Sequence, residues 1–300
     1  MRSRTAQKSR ETVIMVLLVV SATLSIFITI GIIGALAKET HRFFSDPSVS
    51  LYEFFFTGQW NPLLGSTKHF GIWPLIAGTM LVTVVAMVVA LPLGLITAIY
   101  LSEYAPRRLR SVLKPALEIL AGIPTVVYGF FALVFLTPAL KWIHEGFNIY
   151  NAFAAGLAVG VLTLPIVSSL CEDALQAVPR SLREGAYGLG GTRFDTSVKV
   201  VLPAALSGIV SAFLLAIARA IGETMIVALA AGSTPKLTMD PREEIQTMTG
   251  FMVQMALGDV SNFDITYRSM YAVAATLFVI TFSLTVIGQI IRKRYREEYQ

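Results

Sequence analysis

Two ionisable residues, Arg219 and Glu223, stand inside an otherwise apolar stretch that runs from about residue 203 to 232. Placing such a residue near the centre of a membrane-crossing helix costs about 2.5–3.5 kcal/mol, so it normally faces a cavity or a partner. Four residues apart on one helix, the two share a face and lie about 6 Å apart along the axis, close enough to pair. Two chemistries suit them. A buried ion pair could simply fasten helices together. Alternatively, the planar guanidinium of Arg219 could grip a passing oxyanion through two hydrogen bonds, with Glu223 holding the arginine when nothing is bound. Gly222 between them leaves room for a backbone or a ligand to come close. Further polar groups lie in Gly122-Ile123-Pro124-Thr125-Val126-Val127-Tyr128-Gly129. On an unbroken helix from Lys114, Thr125 and Tyr128 would sit about 16 to 21 Å into the membrane. Their hydroxyls could donate to an anion without adding charge, or could serve only to pack helices.

The elements that must position these groups are helices in lipid. The chain has 300 residues, of which 55% are hydrophobic and only 14% charged. Soluble domains carry about 25% charged residues. Mean hydropathy is +0.67, and the apolar residues gather into six segments, approximately 13–37, 74–102, 115–140, 151–171, 203–232 and 271–291. Each is long enough for a bilayer core of about 30 Å. An even number of spans returns both termini to one side. Four groups of basic residues fall on that side: Arg2, Arg4, Lys8 and Arg10; Arg107, Arg108, Arg110 and Lys114; Arg180, Arg183, Arg193 and Lys199; and Lys293, Arg294 and Arg296 with Arg292. The opposite side carries Lys38, Arg42, Lys68, Lys141, Lys236, Arg242 and Arg268 over longer loops. By the positive-inside rule the first side is cytoplasmic. The net charge of +5 therefore reflects orientation and gives no reason to expect nucleic acid. The first span is read as a retained anchor, because its apolar run exceeds the 7–15 residues of a signal h-region.

Several chemistries are missing. Cys171 is the single cysteine, so no internal disulfide or cysteine metal cluster is possible. His41, His69 and His144 are scattered over outer segments without ligand spacing. No P-loop, H-E-x-x-H or G-x-S-x-G occurs, which leaves the chain without a nucleotide fold or hydrolytic machinery. It is read as a transport subunit and not an enzyme, with energy supplied elsewhere. Pro92, Pro124, Pro138 and Pro165 imply kinked spans. Gly156 and Gly160 make a small-residue face, suited to packing within the bundle or to a subunit interface.

The cytoplasmic loop 172–202 is too long for a plain connector. Ser181-Leu182-Arg183-Glu184 has the pattern of a capping box, and Gly188, Gly190 and Gly191 supply a stop. A short helix ending in a glycine turn is expected there, although a solvated connector also fits the pattern. Glu184-Gly185-Ala186, then Gly190, then Val200-Val201-Leu202-Pro203 resembles the E-A-A, x3, G, x9, I-x-L-P motif of bacterial ABC importer permeases, with Gly185 and Val200 as substitutions. The resemblance implies a coupling helix that docks on an ATPase subunit through Glu184, Gly185, Ala186 and Gly190, with Arg183 and Tyr187 beside them.

Residues 122–129 and Ala218-Arg219-Ala220-Ile221-Gly222-Glu223-Thr224 are similar to signatures of the phosphate importer permeases, the PstC/PstA pair. Pro241-Arg242-Glu243-Glu244 through Gly258-Asp259-Val260, and the ending after the last span, look more like the PstC type. The outer loop 38–73 carries no usable motif. The resemblance implies an all-α integral membrane protein of type I ABC importer permease fold, with six transmembrane helices and cytoplasmic termini. Its organisation would be an anchor helix and outer loop over 1–73, a permease core over 74–292 and a tail over 293–300. Arg219, Glu223, Thr125, Tyr128 and Thr224 would line the phosphate route. The implied partners are a PstA-type subunit, two ATPase subunits that use ATP and Mg, and an extracytoplasmic phosphate-binding protein, in a bacterial inner membrane. No cofactor would be bound by this chain. Permeases for sulfate, molybdate or phosphonate remain open, because an arginine does not discriminate among oxyanions. A secondary anion transporter is less favoured, since it gives the cytoplasmic helix nothing to do. Residues 243–257, with Ile245, Met248, Met252 and Met255 spaced along them, could form an outer gate helix.

Overall fold

The computed structural model describes residues 4–63, 67–258, 261 and 264–294. The N-terminal basic side chains, Asp259-Val260 and most of the tail 293–300 lie outside the described residues. The chain is helical nearly throughout. A long first helix, α1 (Arg4–Phe44), leads to α2 (Leu51–Phe56) and a hairpin of β1 (Trp60–Asn61) and β2 (His69–Phe70), paired antiparallel with Trp60 opposite Phe70. α3 (Trp73–Ile99) ends in a π-helical turn, Tyr100–Tyr104. α4 (Arg107–Gly122) is followed by α5 (Thr125–Phe131), which continues through a π turn into α6 (Thr137–Ile143). α7 (Ala152–Gln176) leads to the short α8 (Arg180–Gly188) and α9 (Arg193–Thr196). A π turn and α10 (Leu202–Ala204) then precede α11 (Leu206–Ile221), α12 (Met225–Ala230), α13 (Met248–Leu257) and α14 (Ile265–Arg294).

Five helical stretches are long and apolar enough to cross a membrane: residues 11–44, 73–104, 125–143, 152–176 and 265–291. A sixth arises only if residues 193–204 and 206–221, bent by 70° to one another, count as one span. Two expected spans are therefore broken. The segment 115–140 divides at Ile123-Pro124, because proline cannot donate to the helix and disfavours helical geometry in the residue before it. Its first part is the amphipathic α4, with Arg107, Arg108, Val112 and Ile119 exposed and Arg110 and Lys114 turned inward. The segment 203–232 divides at Gly222–Thr224.

The centre of the bundle is the packing of α7 on α3. Helices in lipid gain nothing from burying apolar surface against each other, so close approach through small residues drives association. A Cβ on Gly156 would lie 2.6 Å from Val85, and one on Gly94 would lie 2.6 Å from Val167. Gly160 faces the Ala86 carbonyl. The Gly156/Gly160 face thus closes within this chain. α7 begins at Asn151, which is fully buried; its Oδ1 accepts from the Ala154 amide at 2.7 Å as an N-cap. The other end of α7 carries Glu172, 1% exposed, gripped by Arg110 at 2.5 Å and by Lys114 at 3.5 Å from α4. Those contacts bring two of the four basic groups to one pole, around the loop 172–202.

The outer segment 38–73, silent in sequence, has a core of its own. Phe43, Phe54, Trp60, Phe70, Ile72 and Leu75 close on Met248, Phe251 and Met255 of α13. Trp60 meets Phe251 edge to face at 4.9 Å. α13 is shorter than the expected helix over 243–257. Thr247 caps it, accepting from the Gly250 amide at 3.0 Å, and the Met248 amide donates to Thr79 of α3 at 3.0 Å.

The α3–α7 contact makes a direct prediction. Gly156→Leu overpacks it and should destabilise the protein by about 1–3 kcal/mol. A lowered thermal midpoint of the purified protein would show this, whereas an unchanged midpoint would mean the helices sit farther apart.

Candidate functional site

The break between α11 and α12 sets the geometry around Arg219 and Glu223. Arg219 occupies the last turn of α11, Gly222 caps that helix, and Glu223 lies in the non-helical link. The two therefore do not form the one-helix i,i+4 pair that unbroken spacing implies, and no ion pair joins them among the described residues. Arg219 is exposed, with no side-chain hydrogen bond or ion pair among the described residues. Glu223 is 8% exposed; its Oε1 reaches only the Ile226 amide, at 3.5 Å. A carboxylate at the first turn of α12 gains from the free amides and the dipole there. The Glu223 carbonyl, freed by the break, accepts from Thr249 of α13 at 2.6 Å. The break is thus tied to the outer helix.

Both residues line one open cleft of about 460 Å³, with Ile166 of α7 and Leu215, Ala218 and Gly222 of α11. A Cβ on Gly222 would meet nothing nearer than 3.6 Å, so this chain leaves open the space beside it. Ile166 and Leu215 also wall a second cleft of about 340 Å³, which runs past Pro165 and Ser169 to Lys114, Glu118 and Glu172. The two clefts share a wall, and a guanidinium without a protein partner among the described residues stands in the first one. That arrangement suits an anion held by charge-assisted hydrogen bonds.

The remaining expected route residues are not brought into this cleft. Tyr128 is 7% exposed and its hydroxyl donates to the Leu120 carbonyl at 2.8 Å. The Pro124 break frees that carbonyl, and Tyr128 answers it, so its proton is committed to the fold rather than offered to an anion. Thr125 opens α5 half-buried, with no side-chain hydrogen bond among the described residues. Thr224 turns back on the break, donating to the Gly222 carbonyl at 3.1 Å. The count of depth from Lys114 fails for the same reason as the span: it assumed an unbroken helix.

At the end of the bundle around the loop 172–202, α8 is the expected short helix with a glycine stop. Gly190 has φ of +83°, a conformation glycine adopts without strain. Its amide donates to the Tyr187 carbonyl at 2.9 Å and that of Gly191 to the Ala186 carbonyl at 3.0 Å, the two bonds of a Schellman motif. The start differs from expectation. Pro179 is the N-cap and Ser181 lies inside the helix, with no side-chain cap, so Ser181–Glu184 is not a capping box. Proline fits there because its fixed φ and missing amide suit a helix entry. The capping pattern occurs instead at Thr192, which accepts from the Asp195 amide at 3.1 Å. Glu184, Gly185 and Tyr187 are exposed and Ala186 is half-buried. Leu189 and Phe194 extend this face, at 92% and 67% exposed.

Arg183 is not on that face. It turns into the protein, donating to the Leu175 and Val178 carbonyls at 2.7 and 2.6 Å and pairing with Glu103 at 3.0 Å. Sequence reading also missed Glu103 and Glu172. The one signal available was an acidic residue at the cytoplasmic end of an apolar segment, which is commonplace. No group of three or more His, Cys, Asp or Glu able to hold a metal occurs among the described residues.

Relatives share this architecture. Residues 90–297 match the family described as the binding-protein-dependent transport system inner membrane component. The chain is 32% identical to the probable ABC transporter permease protein YqgH of Bacillus subtilis, covering 93% of this chain and 87% of that one. It is 33% identical to the phosphate transport system permease protein PstC of Mesorhizobium japonicum, covering 79% and 77%. In fold, it superposes with a TM-score of 0.68 and 13% identity on a chain of a bacterial ABC transporter involved in the import of the polysaccharide alginate, over 98% of this chain and 100% of that one. With its glycine-stopped short helix, its tightly packed α3–α7 core and the match over residues 90–297, the chain belongs to the binding-protein-dependent transport system inner membrane component family, the ABC transporter permeases.

Proposed function

We propose that this chain is the PstC-type permease subunit of an ATP-driven importer of inorganic phosphate. The observation that carries the reading is Arg219, a guanidinium without a protein partner among the described residues, facing an open cleft beside the buried Glu223. The similarity to PstC proteins supports phosphate as the anion. Glu223 acts by its charge. It tempers the positive field of Arg219, so that an anion is held loosely enough to leave.

In this reading the bent helices count as one span, giving six crossings with both termini in the cytoplasm of a bacterial inner membrane. The permease core is 74–292. The open side of the clefts faces a homologous PstA-type subunit, whose residues complete the route. An extracytoplasmic phosphate-binding protein delivers the anion to the outer face, where α13 and the segment 38–73 form one unit. Two ATPase subunits, using ATP and Mg, dock on α8 through Glu184, Gly185, Ala186, Tyr187 and Gly190, with Leu189 and Phe194 adding apolar contact. Among the route residues, Thr125 and Thr224 stay at the edge of the site, and Tyr128 supports it from behind.

Arg219→Ala should lower phosphate uptake on the order of 100-fold, the worth of lost hydrogen bonds to a charge, with the complex still assembled. Reconstituted vesicles with radiolabelled phosphate and competing sulfate, arsenate or phosphonate give the readout. Uptake undiminished in the variant, or sulfate competing as well as phosphate, would overturn the reading. Glu184→Lys and Gly190→Asp should each lose uptake and weaken co-purification of the ATPase, and an ATPase retained and fully stimulated would exclude docking on α8. Tyr128→Phe should lower stability by about 0.5–1.5 kcal/mol, because the Leu120 carbonyl then keeps only the 3.3 Å bond from the Ile123 amide, while the KM for phosphate stays the same. A raised KM with unaltered stability would instead place the hydroxyl on the anion.

A further inference from the structure

The coupling helix presents most of its side chains to solvent, yet one of them is spent inward. Among the described residues, Arg183 is the only side chain of α8 with a polar contact to another element, and it has four. Nη1 donates to the Val178 carbonyl at 2.6 Å and Nη2 to the Leu175 carbonyl at 2.7 Å. Nη2 and Nε reach the two carboxylate oxygens of Glu103, at 3.0 and 3.4 Å. The Arg183 and Glu103 side chains are 17% and 7% exposed. Leu175 is in the last turn of α7 and Val178 lies two residues beyond its end, a helix C-terminus where a cation is favoured. Glu103 lies in the π turn that closes α3, a local geometry found frequently at functional sites. One guanidinium fork therefore joins three elements: the helix the ATPase is proposed to grip, the end of α7 and the end of α3.

We propose that Arg183 and Glu103 form a strut through which displacement of α8 pulls on α3 and α7 together, making both of them positioning residues for transport. The load has a rigid path. α3 and α7 meet through Gly94 on Val167 and Gly156 on Val85, contacts too close to slide without lifting apart. α7 carries Ile166 into the wall of the Arg219 cleft. Glu184, one residue on from Arg183, is exposed, makes no side-chain hydrogen bond or ion pair among the described residues and stays free for the ATPase. Adjacent residues on α8 thus divide the work: Glu184 faces the motor and Arg183 faces the spans. A lysine could keep the charge at position 183 but not the fork that holds two carbonyls and a carboxylate at once.

The inference rests on the docking of α8 to the ATPase, and the two can fail separately. In the complete importer, reconstituted with all its subunits, Glu103→Gln should leave ATPase co-purification within about twofold while ATP hydrolysed per phosphate imported rises on the order of tenfold. Glu103→Asp, which keeps the charge, should restore most of the coupling. A merely structural role would lower the yield of complex without changing that ratio. Should Glu103→Gln not assemble, Arg183→Lys provides the same measurement with the charge retained. An unaltered ratio in the variant that assembles overturns the strut while leaving docking intact. Loss of ATPase binding in Glu103→Gln also overturns it, since the pair would then belong to the docking surface. ATPase retained by Glu184→Lys instead removes the reading on which the strut depends.

Discussion

The seating of α7 on α3 through glycine and alanine is the contact from which the rest of the molecule hangs. In lipid no hydrophobic force presses helices together, so dispersion at short range must do so, and that demands small side chains at the crossing. Gly94, Gly156 and Gly160 provide it. Every functional feature is referred to this pair. α4 is pinned to α7 by Glu172, α8 is fastened to both helices by Arg183, and α13 hangs from α3 by Thr79.

Beside that rigid pair, two of the expected spans are broken, and each break leaves backbone groups that lipid cannot satisfy. The structure answers them with side chains. Tyr128 takes the Leu120 carbonyl below the Pro124 break, and Thr249 takes the Glu223 carbonyl at the break between α11 and α12. The second of these joins an outer helix to the residue beside the candidate anion site. Interrupted helices are tolerated at membrane depth where they are buried in protein or face an aqueous cavity, and the Gly222–Glu223 link faces such a cleft.

Charge follows the same economy. Glu103 and Glu172 are buried and each has a cation in contact; both serve to hold elements in place. Arg219 has no such partner among the described residues, and Glu223 reaches only a backbone amide. A buried pair satisfied within the chain is architecture, whereas a cation without a protein partner and open to a cleft is free to take a ligand. That contrast separates the candidate site from the structural ion pairs more sharply than the presence of charge in a span.

Much of this was legible in the residues alone. Apolar length located four of the six expected spans, and Gly190 marked the end of α8, because composition and local backbone preference need no distant partner. Spacing could not tell that Arg219 and Glu223 lie across a break, that Tyr128 spends its proton on Leu120, that Ser181 is inside its helix or that Arg183 turns inward. Nor did the outer segment 38–73 announce that its aromatics close on α13. Each of those depends on groups far apart in the chain, Arg183 and Glu103 being 80 residues apart. The sequence by itself determined which elements exist and which charges are out of place. Only the tertiary structure decided which of those charges are satisfied, because hydrogen bonding and desolvation depend on what packs alongside.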